Sequence, residues 1–591
     1  MGYIKRKKYG YSKKEISGNK FSNWRLYLLI FFIFFLASAI ILKLYFIQIV
    51  AFDKYKALAE IQHKSFFELQ PKRGEIYLKD GADLYPLAIN KELQMAYAVP
   101  REIRDKEKTA TDISLILGLE KNMLLDKFSD VDDVFEILKH KVSEEEMKKI
   151  KELDYPGIKF SPEVFRYYPG GEIAAQTVGF VGSDGENFVG RYGIESFWED
   201  SLKGKNGSVA QEKDAGGRWI SVTDRKVEPA ENGINLVLSI NYPVQYEVEK
   251  ILRNAVEKYK ADNGTAIVME PKTGKILALT NIPGFNPNEY SKAEDISTFI
   301  NSAISNPYEC GSVFKTITMA MGIDDGKINP DTTFVDPGEI NEGGFSITNA
   351  QDKKYGKKTM TEVLEESINT GAIFAEKQVG NKKFGEYAER FGFGSKTGIE
   401  ITGELAGSIK NLRNVNRNVE FYTASFGQGI TVTPLQLINA YSAIANGGKL
   451  MKPQIVDRII YPGGKTEEIQ PMEIRRVISE ESSRQIGKML RSVIVKGHGK
   501  RANVPGYLVG GKTGTAQVAK AEGRGYEEGL TMGSFVGYAP IDDPQFAVLV
   551  KVYNPKEVQW AESTAAPAFG EIMKFLLEYY KVKPTEEYEL K

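Results

Sequence analysis

Ser312 and Lys315 stand three residues apart in a helical-looking stretch, and residues of these types at this spacing could transfer acyl groups. The spacing puts both side chains on one face of a helix, so the Lys315 amine can reach the Ser312 hydroxyl. A lysine whose pKa is lowered by burial or by a second cation can accept the hydroxyl proton without any imidazole. The pair alone is weak evidence, because Ser17 and Lys20 have the same spacing in a basic tail.

A Ser-x-Asn motif and a Lys-Thr-Gly motif follow this pair in the chain. Ser367 and Asn369 supply the first, and Lys512 begins the second. Chain order and local context separate both motifs from their copies elsewhere, since only Lys512 begins a strand-like segment. The ordered set is therefore a specific pattern for a serine nucleophile activated by lysine. The copies set aside are Ser239-Ile240-Asn241, Lys272-Thr273-Gly274 and Lys396-Thr397-Gly398.

The composition of the chain argues against several kinds of site and partner. The 591 residues include one cysteine, Cys310, which excludes an intrachain disulfide and any thiolate-rich metal site. The three histidines, His63, His140 and His498, lie far apart in sequence. The sequence therefore gives little support to a histidine metal centre or to a serine–histidine–acid triad. A formal net charge of zero provides no long-range field for nucleic acid. We therefore expect no metal, no cofactor and no nucleic-acid partner.

Although the net charge of the whole chain is zero, the chain begins with a basic segment, the head, which is followed by an apolar segment. Residues 1–25 contain eight basic residues and one acidic residue. The apolar segment that follows, 26–50, is long enough for a membrane span, which needs about 20 helical residues. A cleaved signal peptide is the alternative, but the small residues Ala37-Ser38-Ala39 lie inside the apolar run instead of after it. We expect an uncleaved anchor, with a cytoplasmic head and the rest of the chain outside.

The exported part changes character near residue 236. From 53 to 235 the sequence is polar and turn-rich and is typical of an irregular α+β region. From 236 onwards a strand, a helix over 243–259 and two β-rich runs lead into a helical middle, and strands return after Val509 before a final helix. Strands at both ends of 236–585 predict one antiparallel sheet assembled from distant segments, with helices on its faces.

The motifs together resemble those of the class B penicillin-binding proteins, which are membrane-anchored transpeptidases with a single catalytic activity. The segment 308–315 is similar to the family's Tyr-Glu-Pro-Gly-Ser-x-x-Lys, and 426–436 is similar to the stretch between its second and third motifs. Upstream, three short motifs resemble the family's non-catalytic pedestal domain. These are Arg73-Gly74-x-Ile76, Arg166-x-Tyr168-Pro169 and Gly193-Ile194-Glu195.

The resemblance implies a membrane-anchored multidomain α+β protein, in which a pedestal precedes a transpeptidase domain like the serine β-lactamases. The implied boundaries are a cytoplasmic tail at 1–25, a transmembrane anchor at 26–50, a dimerisation-type pedestal at 53–235 and the transpeptidase domain at 236–585.

The resemblance also implies a reaction. Ser312 attacks the D-Ala-D-Ala carbonyl of a peptidoglycan stem peptide, and a neighbouring stem amine then takes the acyl group. Lys315 acts as the base, Ser367 relays protons, and Asn369 holds Lys315 and the substrate amide. β-Lactams acylate the same serine. The remaining expected roles are substrate carboxylate binding by Lys512, Thr513, Gly514 and Thr515, and an oxyanion hole from the backbone N–H groups of Ser312 and Thr515.

Cys310 departs from the family pattern, because it stands where the family has proline. The turn before the nucleophile loses rigidity, although Gly311 still permits the bend. A cysteine two residues from Ser312 could itself be the nucleophile. We favour a space-filling role, since no nearby histidine would activate the thiol.

Two rival functions use the same motifs. A D,D-carboxypeptidase or β-lactamase would pass the acyl group to water, and an idle member would bind β-lactams as a division scaffold. The long pedestal and the anchor disfavour a secreted β-lactamase, and the complete set of Ser312, Lys315, Asn369 and Lys512 disfavours idleness.

The family contains septal and side-wall enzymes, and Tyr308-Glu309 before Ser312 resembles the septal branch more than the side-wall branch, which stays the alternative. The resemblance implies as partners a multi-span membrane glycosyltransferase and other division proteins, in addition to stem peptides and β-lactams. It also implies a location in the bacterial plasma membrane with the catalytic domain outside the cytoplasm.

Overall fold

The computed structural model describes residues 10, 20–52, 64–184, 187–212, 226–520 and 525–585. The chain forms two compact units. The smaller unit comprises residues 1–70 and 206–230, and the larger comprises 71–205 and 231–591. Every element named below lies within the described residues.

The β-strands of the described residues are numbered in chain order. They are β1 (Lys64–Leu69), β2 (Ile76–Asp80), β3 (Asp83–Ala98), β4 (Glu136–Val142), β5 (Ile158–Tyr167), β6 (Phe180–Asp184), β7 (Asn187–Arg191), β8 (Gly207–Glu212), β9 (Lys226–Glu228), β10 (Asn235–Asn241), β11 (Asn263–Met269), β12 (Ile276–Ile282), β13 (Thr333–Asp336), β14 (Glu339–Glu342), β15 (Phe345–Thr348), β16 (Gly356–Thr359), β17 (Lys449–Met451), β18 (Val456–Ile460), β19 (Thr466–Glu468), β20 (Glu473–Arg476), β21 (Gly510–Ala519), β22 (Tyr526–Ala539) and β23 (Phe546–Tyr553).

The α-helices of the same residues are numbered likewise. They are α1 (Lys20–Tyr45), α2 (Lys106–Leu117), α3 (Lys121–Lys127), α4 (Glu144–Glu152), α5 (Ala175–Val178), α6 (Gly193–Phe197), α7 (Glu199–Leu202), α8 (Tyr242–Lys258), α9 (Ser302–Ser305), α10 (Phe314–Asp324), α11 (Met360–Glu365), α12 (Asn369–Val379), α13 (Asn381–Arg390), α14 (Asn418–Ser425), α15 (Pro434–Ala445), α16 (Glu480–Val495) and α17 (Ala565–Tyr579).

The smaller unit contains one long apolar helix and a small sheet. Helix α1 continues as a π-helix over Phe46–Val50, and residues 24–50 are long and apolar enough to cross a membrane. Their large apolar side chains are exposed, as expected of a segment that meets lipid. The expected anchor, 26–50, lies in this segment, which is compatible with a single-pass membrane anchor. The sheet has the order β1-β8-β9.

A seven-stranded sheet in the larger unit joins distant parts of the chain. Its order is β19-β18-β10-β2-β3-β4, and β5 pairs with β3. Strand β10 contains the strand predicted at 236–240, and it lies parallel to β2 and antiparallel to β18. Four of its seven residues, Leu236, Val237, Leu238 and Ile240, are completely buried, as is typical of a central strand.

A buried ion-pair network brings together the three upstream motifs. The Glu195 carboxylate is completely buried and lies 2.6 Å from Arg73 Nη2 and 2.6 Å from Arg166 Nε. Tyr168 donates its hydroxyl to the same carboxylate at 3.3 Å, and Glu199 forms a second ion pair with Arg73 at 2.7 Å. Burial alone would raise the pKa of Glu195, but the two arginines outweigh it and hold the pKa below its ordinary value.

The sheet that carries the active site is antiparallel throughout. Its order is β12-β11-β23-β22-β21, so strands from 263–282 and 510–553 meet across more than 200 intervening residues. This arrangement confirms the predicted antiparallel sheet with helices on its faces. Helices α8 and α17 pack on one face, and α15 packs on the other.

Helix α15 is buried along its whole length. It begins with Thr433 as N-cap and Pro434 at the first helical position. The Thr433 hydroxyl accepts the Gln436 N–H, and the Gln436 side chain accepts the Thr433 N–H, which completes a capping box. Gly447 and Gly448, both with positive φ, follow the end of the helix.

Candidate active site

The nucleophile turn crosses a second glycine-rich segment at close range. Ser312 lies in a 3₁₀ turn, Gly311–Val313, that leads directly into α10. The Gly311 N–H donates to Gly427 O at 3.1 Å, and a Cβ on Gly427 would lie 2.3 Å from Gly311 O. Both glycines have φ in the left-handed region. Their lack of side chains lets the two segments approach and fixes the position of Ser312.

Lys315 lies one helical turn after Ser312 and is completely buried. Its Nζ donates to the backbone oxygen of Ser367 and lies 3.2 Å from Ser367 Oγ. Within the described residues the Ser312 hydroxyl makes no hydrogen bond. The Lys315 amine is therefore held by Ser367 of the second motif and not by Ser312.

Ser367 is strained in a way that serves this contact. It has φ of 57°, a left-handed conformation that is uncommon for residues other than glycine. This backbone lies between α11 and α12, and it presents both the carbonyl oxygen and the hydroxyl to Lys315. The same hydroxyl accepts a hydrogen bond from Lys512 Nζ at 3.0 Å. The three sequence motifs thus converge on one oxygen atom.

Lys512 lies on β21, and residues 510–517 of this strand pair with β22. Its side chain is completely buried, and its amine also donates to Thr513 O at 3.2 Å. Gly514 lets this strand lie against the nucleophile turn, because a Cβ there would come within 2.7 Å of Cys310 O. Any larger residue at 514 would push the strand away from Ser312.

The electrostatics of the two lysines differ. Burial, followed by the charge of Lys512, holds the pKa of Lys315 well below its ordinary value. Burial also lowers the pKa of Lys512, to about 7, although the Glu562 carboxylate opposes this effect. Both shifts favour the neutral amine, and for Lys315 the charge of Lys512 adds to the effect of burial. A neutral amine beside a serine hydroxyl is what a lysine base requires.

A cavity of about 350 Å³ opens at this point. Five of the predicted site residues line it, and the buried Lys315 and Lys512 reach its wall through the Ser367 hydroxyl. The Thr515 hydroxyl accepts the Ala561 N–H at 3.1 Å. The lining residues that the sequence predicted are Ser312, Ser367, Asn369, Thr513 and Thr515.

Asn369 behaves differently from the expectation that it would hold Lys315. Its side-chain amide donates to Thr348 O at 2.9 Å, and the structure gives it no hydrogen bond to Lys315 among the described residues. Asn369 still lines the cavity, so its amide remains next to the space where a substrate would lie.

Cys310 is completely buried and does not belong to the cavity lining. Burial raises the pKa of its thiol far above the ordinary value, so a thiolate is strongly disfavoured. These observations support the space-filling role over the nucleophilic one.

Several cavity residues carry no motif in the sequence. His498 follows α16, and its Nδ1 lies 2.9 Å from an oxygen of Glu562, which lies 64 residues further along the chain. Trp560 and Glu366 line the same cavity. No local pattern indicates these residues, because the fold alone brings them together. The one sequence feature that draws attention to His498 is that the chain has only three histidines.

Glu309 links three segments around the site. Its carboxylate accepts the Gly429 N–H at 3.0 Å and the Tyr526 hydroxyl at 3.0 Å. Burial raises the pKa of Glu309, and these two hydrogen bonds oppose that effect only in part. Glu309 therefore ties the nucleophile turn to the glycine-rich segment and to strand β22.

No group of three acidic, histidine or cysteine side chains that could hold a metal occurs among the described residues.

Comparison with protein families identifies the chain. Residues 264–574 match the penicillin binding protein transpeptidase domain, and residues 68–238 match the penicillin-binding protein dimerisation domain. This chain is a class B penicillin-binding protein. It belongs to the division branch of the class and is a serine-type peptidoglycan transpeptidase, as its motifs predicted.

Curated relatives span nearly the whole of this penicillin-binding protein. Stage V sporulation protein D of Bacillus subtilis is 35% identical over 548 residues, which are 92% of this chain and 83% of that protein. The peptidoglycan D,D-transpeptidase FtsI of Escherichia coli K12 is 28% identical over 581 residues, which are 97% of this chain and 94% of that protein.

Solved structures agree with the fold. A peptidoglycan synthetase from Bifidobacterium adolescentis superposes with a TM-score of 0.71 at 26% identity, covering 89% of this chain and 98% of that one. Penicillin binding protein 3 of Mycobacterium tuberculosis in complex with aztreonam superposes with a TM-score of 0.68 at 26% identity, covering 88% and 98%. The predicted fold class, reaction and enzyme class are confirmed.

Proposed function

We propose that five side chains of this penicillin-binding protein carry out the two halves of transpeptidation. In the first half, a serine attacks the carbonyl between the two terminal D-alanines of a stem peptide and releases D-alanine. In the second half, an amine of a neighbouring stem attacks the acyl-enzyme and completes the cross-link. The observation that carries the assignment is the convergence of two lysine amines on one serine hydroxyl. The five residues are Ser312, Lys315, Ser367, Asn369 and Lys512.

Lys315 is the base that takes the Ser312 proton. Its lowered pKa supports this role, because the neutral amine is the form that accepts a proton. Ser367 relays protons between this amine and the leaving or attacking nitrogen, which its contacts with both lysines support. A hydroxyl can donate and accept at once, so Ser367 needs no charge of its own.

The strand β21 binds the donor peptide. Lys512, as a cation, attracts the terminal carboxylate of the stem, and the hydroxyls of Thr513 and Thr515 line the cavity beside it. Gly514 keeps the strand close to the nucleophile turn. The backbone N–H groups of Ser312 and Thr515 form the oxyanion hole, in which each donor is worth about 10²–10³ in rate.

Asn369 contributes to substrate binding more than to lysine positioning. Its side-chain oxygen has no hydrogen-bond donor among the described residues, whereas its amide nitrogen is engaged with Thr348. An amide N–H of the bound stem peptide fits the free oxygen. The alternative acceptor, water, would make the enzyme a D,D-carboxypeptidase.

We propose the same domain boundaries as the sequence indicates: a tail at 1–25, an anchor at 26–50, a pedestal at 53–235 and a transpeptidase domain at 236–585. The basic tail supports an orientation with the N-terminus in the cytoplasm and the catalytic domain outside the plasma membrane. The chemistry of the substrate supports this too, since cross-linking takes place outside that membrane.

The partners we propose are a multi-span membrane glycosyltransferase and other division proteins. The support comes from the division-branch relatives and from the exposed apolar side chains of α1, which can contact another membrane helix. Crosslinking of the full-length chain in growing cells would capture such a partner through this helix. A chain whose helix is replaced by an unrelated span serves as the control.

The test of the reaction is product analysis with the full-length, detergent-solubilised enzyme. Incubation with polymeric, uncross-linked peptidoglycan carrying pentapeptide stems should release D-alanine and yield cross-linked dimers in equal amounts. Release of D-alanine without dimers would assign the carboxypeptidase reaction instead. Absence of both products would contradict an active enzyme.

A further inference from the structure

Two ionisable residues of the cavity wall, His498 and Glu562, have no role in the reaction described above. His498 Nδ1 and Glu562 Oε2 are 2.9 Å apart, and both side chains are 45% exposed. His498 follows α16 and Glu562 precedes α17, so two separate segments place the pair in the cavity that holds Ser312. Their position is open enough to meet a second substrate.

The pair has the geometry of a histidine prepared to accept a proton. An ionised carboxylate only accepts hydrogen bonds, so Nδ1 of His498 must be the donor to Glu562. This bond selects the tautomer whose Nε2 carries the free lone pair. Nε2 makes no hydrogen bond within the described residues.

The second half of the reaction needs such a group. An acceptor amine arrives as an ammonium and must lose one proton before its nitrogen can attack. In the acylation half, Lys315 and Ser367 already handle the proton of the Ser312 hydroxyl. A separate base for the incoming ammonium removes the need for one group to serve both substrates.

We propose that His498, oriented by Glu562, is the base that deprotonates the acceptor amine in the second half of the reaction. This proposal rests on the function proposed above. Nε2 takes one proton from the ammonium, and the freed nitrogen attacks the acyl carbon. The new C–N bond forms as the ester C–O bond to Ser312 breaks. The second amine proton passes to Ser312 Oγ through Ser367 and Lys315, and the imidazolium then loses its proton to water.

The surroundings of the pair suit a cationic acceptor. The wall of the cavity has two carboxylates, Glu366 and Glu562, against one lining lysine, Lys353. Trp560 lies in the same wall, and an indole ring attracts an ammonium through its π face. The carboxylates of the wall repel an amine that has a neighbouring negative group, so such an amine should bind more weakly than a simple primary amine. The acceptor class is therefore a primary alkylammonium, such as the side-chain amine of a stem peptide.

The experiment measures the two halves separately in the full-length, detergent-solubilised enzyme. A thioester analogue of the acyl-D-alanine stem supplies the acyl-enzyme, and a stem peptide with a free side-chain amine competes with water for it. The variant is His498→Asn, whose amide can still donate to Glu562 but cannot accept a proton. The matched control is His140→Asn, since His140 Nδ1 makes the same 2.9 Å contact with Glu163 and does not line the cavity.

The proposal predicts that His498→Asn lowers aminolysis at least ~100-fold, the low end of the range for a general base, and shifts products towards hydrolysis. Acylation by a fluorescent penicillin, which also reports correct folding, should change less than about twofold. His140→Asn should match the wild type in both assays.

Two results would overturn the proposal. An unchanged ratio of aminolysis to hydrolysis in His498→Asn would show that the imidazole takes no proton from the acceptor. An equal loss of penicillin acylation and aminolysis would assign His498 to the donor site. Failure of the proposed function itself looks different, because the wild-type enzyme would then not be acylated at Ser312, and that result would remove both claims.

Discussion

Lys315 and Lys512 share one hydrogen-bond partner, because their Nζ atoms lie 3.2 Å and 3.0 Å from the hydroxyl oxygen of Ser367. Two buried amines at this separation cannot both hold a full charge at low cost. Burial and the charge of Lys512 lower the pKa of Lys315, and burial lowers the pKa of Lys512 to about 7. Ser367 therefore links the proposed base, Lys315, to the proposed carboxylate-binding cation, Lys512.

This coupling predicts a large effect of Ser367→Ala. Removing the hydroxyl takes away the relay and one hydrogen bond from each lysine. We expect the rate constant of acylation by penicillin to fall about 100-fold, as for loss of a proton-transfer group. Stopped-flow acylation of the detergent-solubilised chain measures it. Ser239→Ala is the control, since Ser239 begins the other Ser-x-Asn copy and donates to Ile276 O; equal losses in the two variants would contradict the relay.

The pKa of Lys512 predicts a pH dependence of donor binding. In the proposed mechanism Lys512 attracts the terminal carboxylate as a cation, so we expect its protonated form to be the active one, and burial lowers its pKa to about 7. The second-order rate constant for acylation by donors with a free carboxylate should fall as pH rises above about 7. Donors with an amidated terminus should lack this fall. The same decline with both donor types would remove Lys512 from carboxylate recognition.

The burial of Lys551 predicts that the free energy of unfolding depends on pH and increases as the pH rises. It lies on β23, fully buried, with no hydrogen-bond partner for its amine, and burial lowers its pKa to about 8. The folded chain binds fewer protons than the unfolded chain between pH 8 and the ordinary lysine pKa of about 10.4, so wild-type stability rises through that window.

Lys551→Met should therefore be more stable than the wild type below pH 8, by roughly 3 kcal/mol, and this advantage should vanish towards pH 10.4. Thermal unfolding midpoints across this range check the prediction. The exposed Lys556, replaced by Met in the same way, should change little. An advantage for Lys551→Met that does not depend on pH would show that folding does not lower the pKa of Lys551.

The pedestal network predicts a destabilising substitution. Glu195→Gln removes the charge that neutralises Arg73 and Arg166 and leaves two buried guanidinium groups without their common partner. The free energy of unfolding should fall by about 3–5 kcal/mol, as when one partner of a buried ion pair is lost. Chemical unfolding measures the change. Glu231→Gln, which breaks an exposed pair with Lys205, should lower it by less than about 1 kcal/mol, and similar losses would refute the network's importance.

The sequence predicted those parts of the site that depend on local pattern. Ser312, Ser367 and Lys512 could be singled out as candidates because the order of the motifs does not depend on how the intervening chain folds. Helix α15 was predictable because Thr433 and Pro434 mark its start within the chain itself. The antiparallel sheet followed from strand signals at both ends of a helical middle.

The parts that escaped prediction depend on contacts between distant segments. His498 and Glu562 have no shared motif, and only the packing of α16 and α17 brings them into one cavity. The partner of Asn369, Thr348, lies in a strand that nothing in the Ser-x-Asn motif indicates. The double pairing of β10 with β2 and β18 likewise cannot be read from the residues of β10.

Mass spectrometry of the penicillin adduct tests the central claim most directly. The wild-type chain should gain the mass of one penicillin, and digestion should locate it on the peptide that contains Ser312. Ser312→Ala should show no adduct while keeping the wild-type unfolding temperature. An adduct on Cys310, or labelling that survives in Ser312→Ala, would contradict the assignment of the nucleophile.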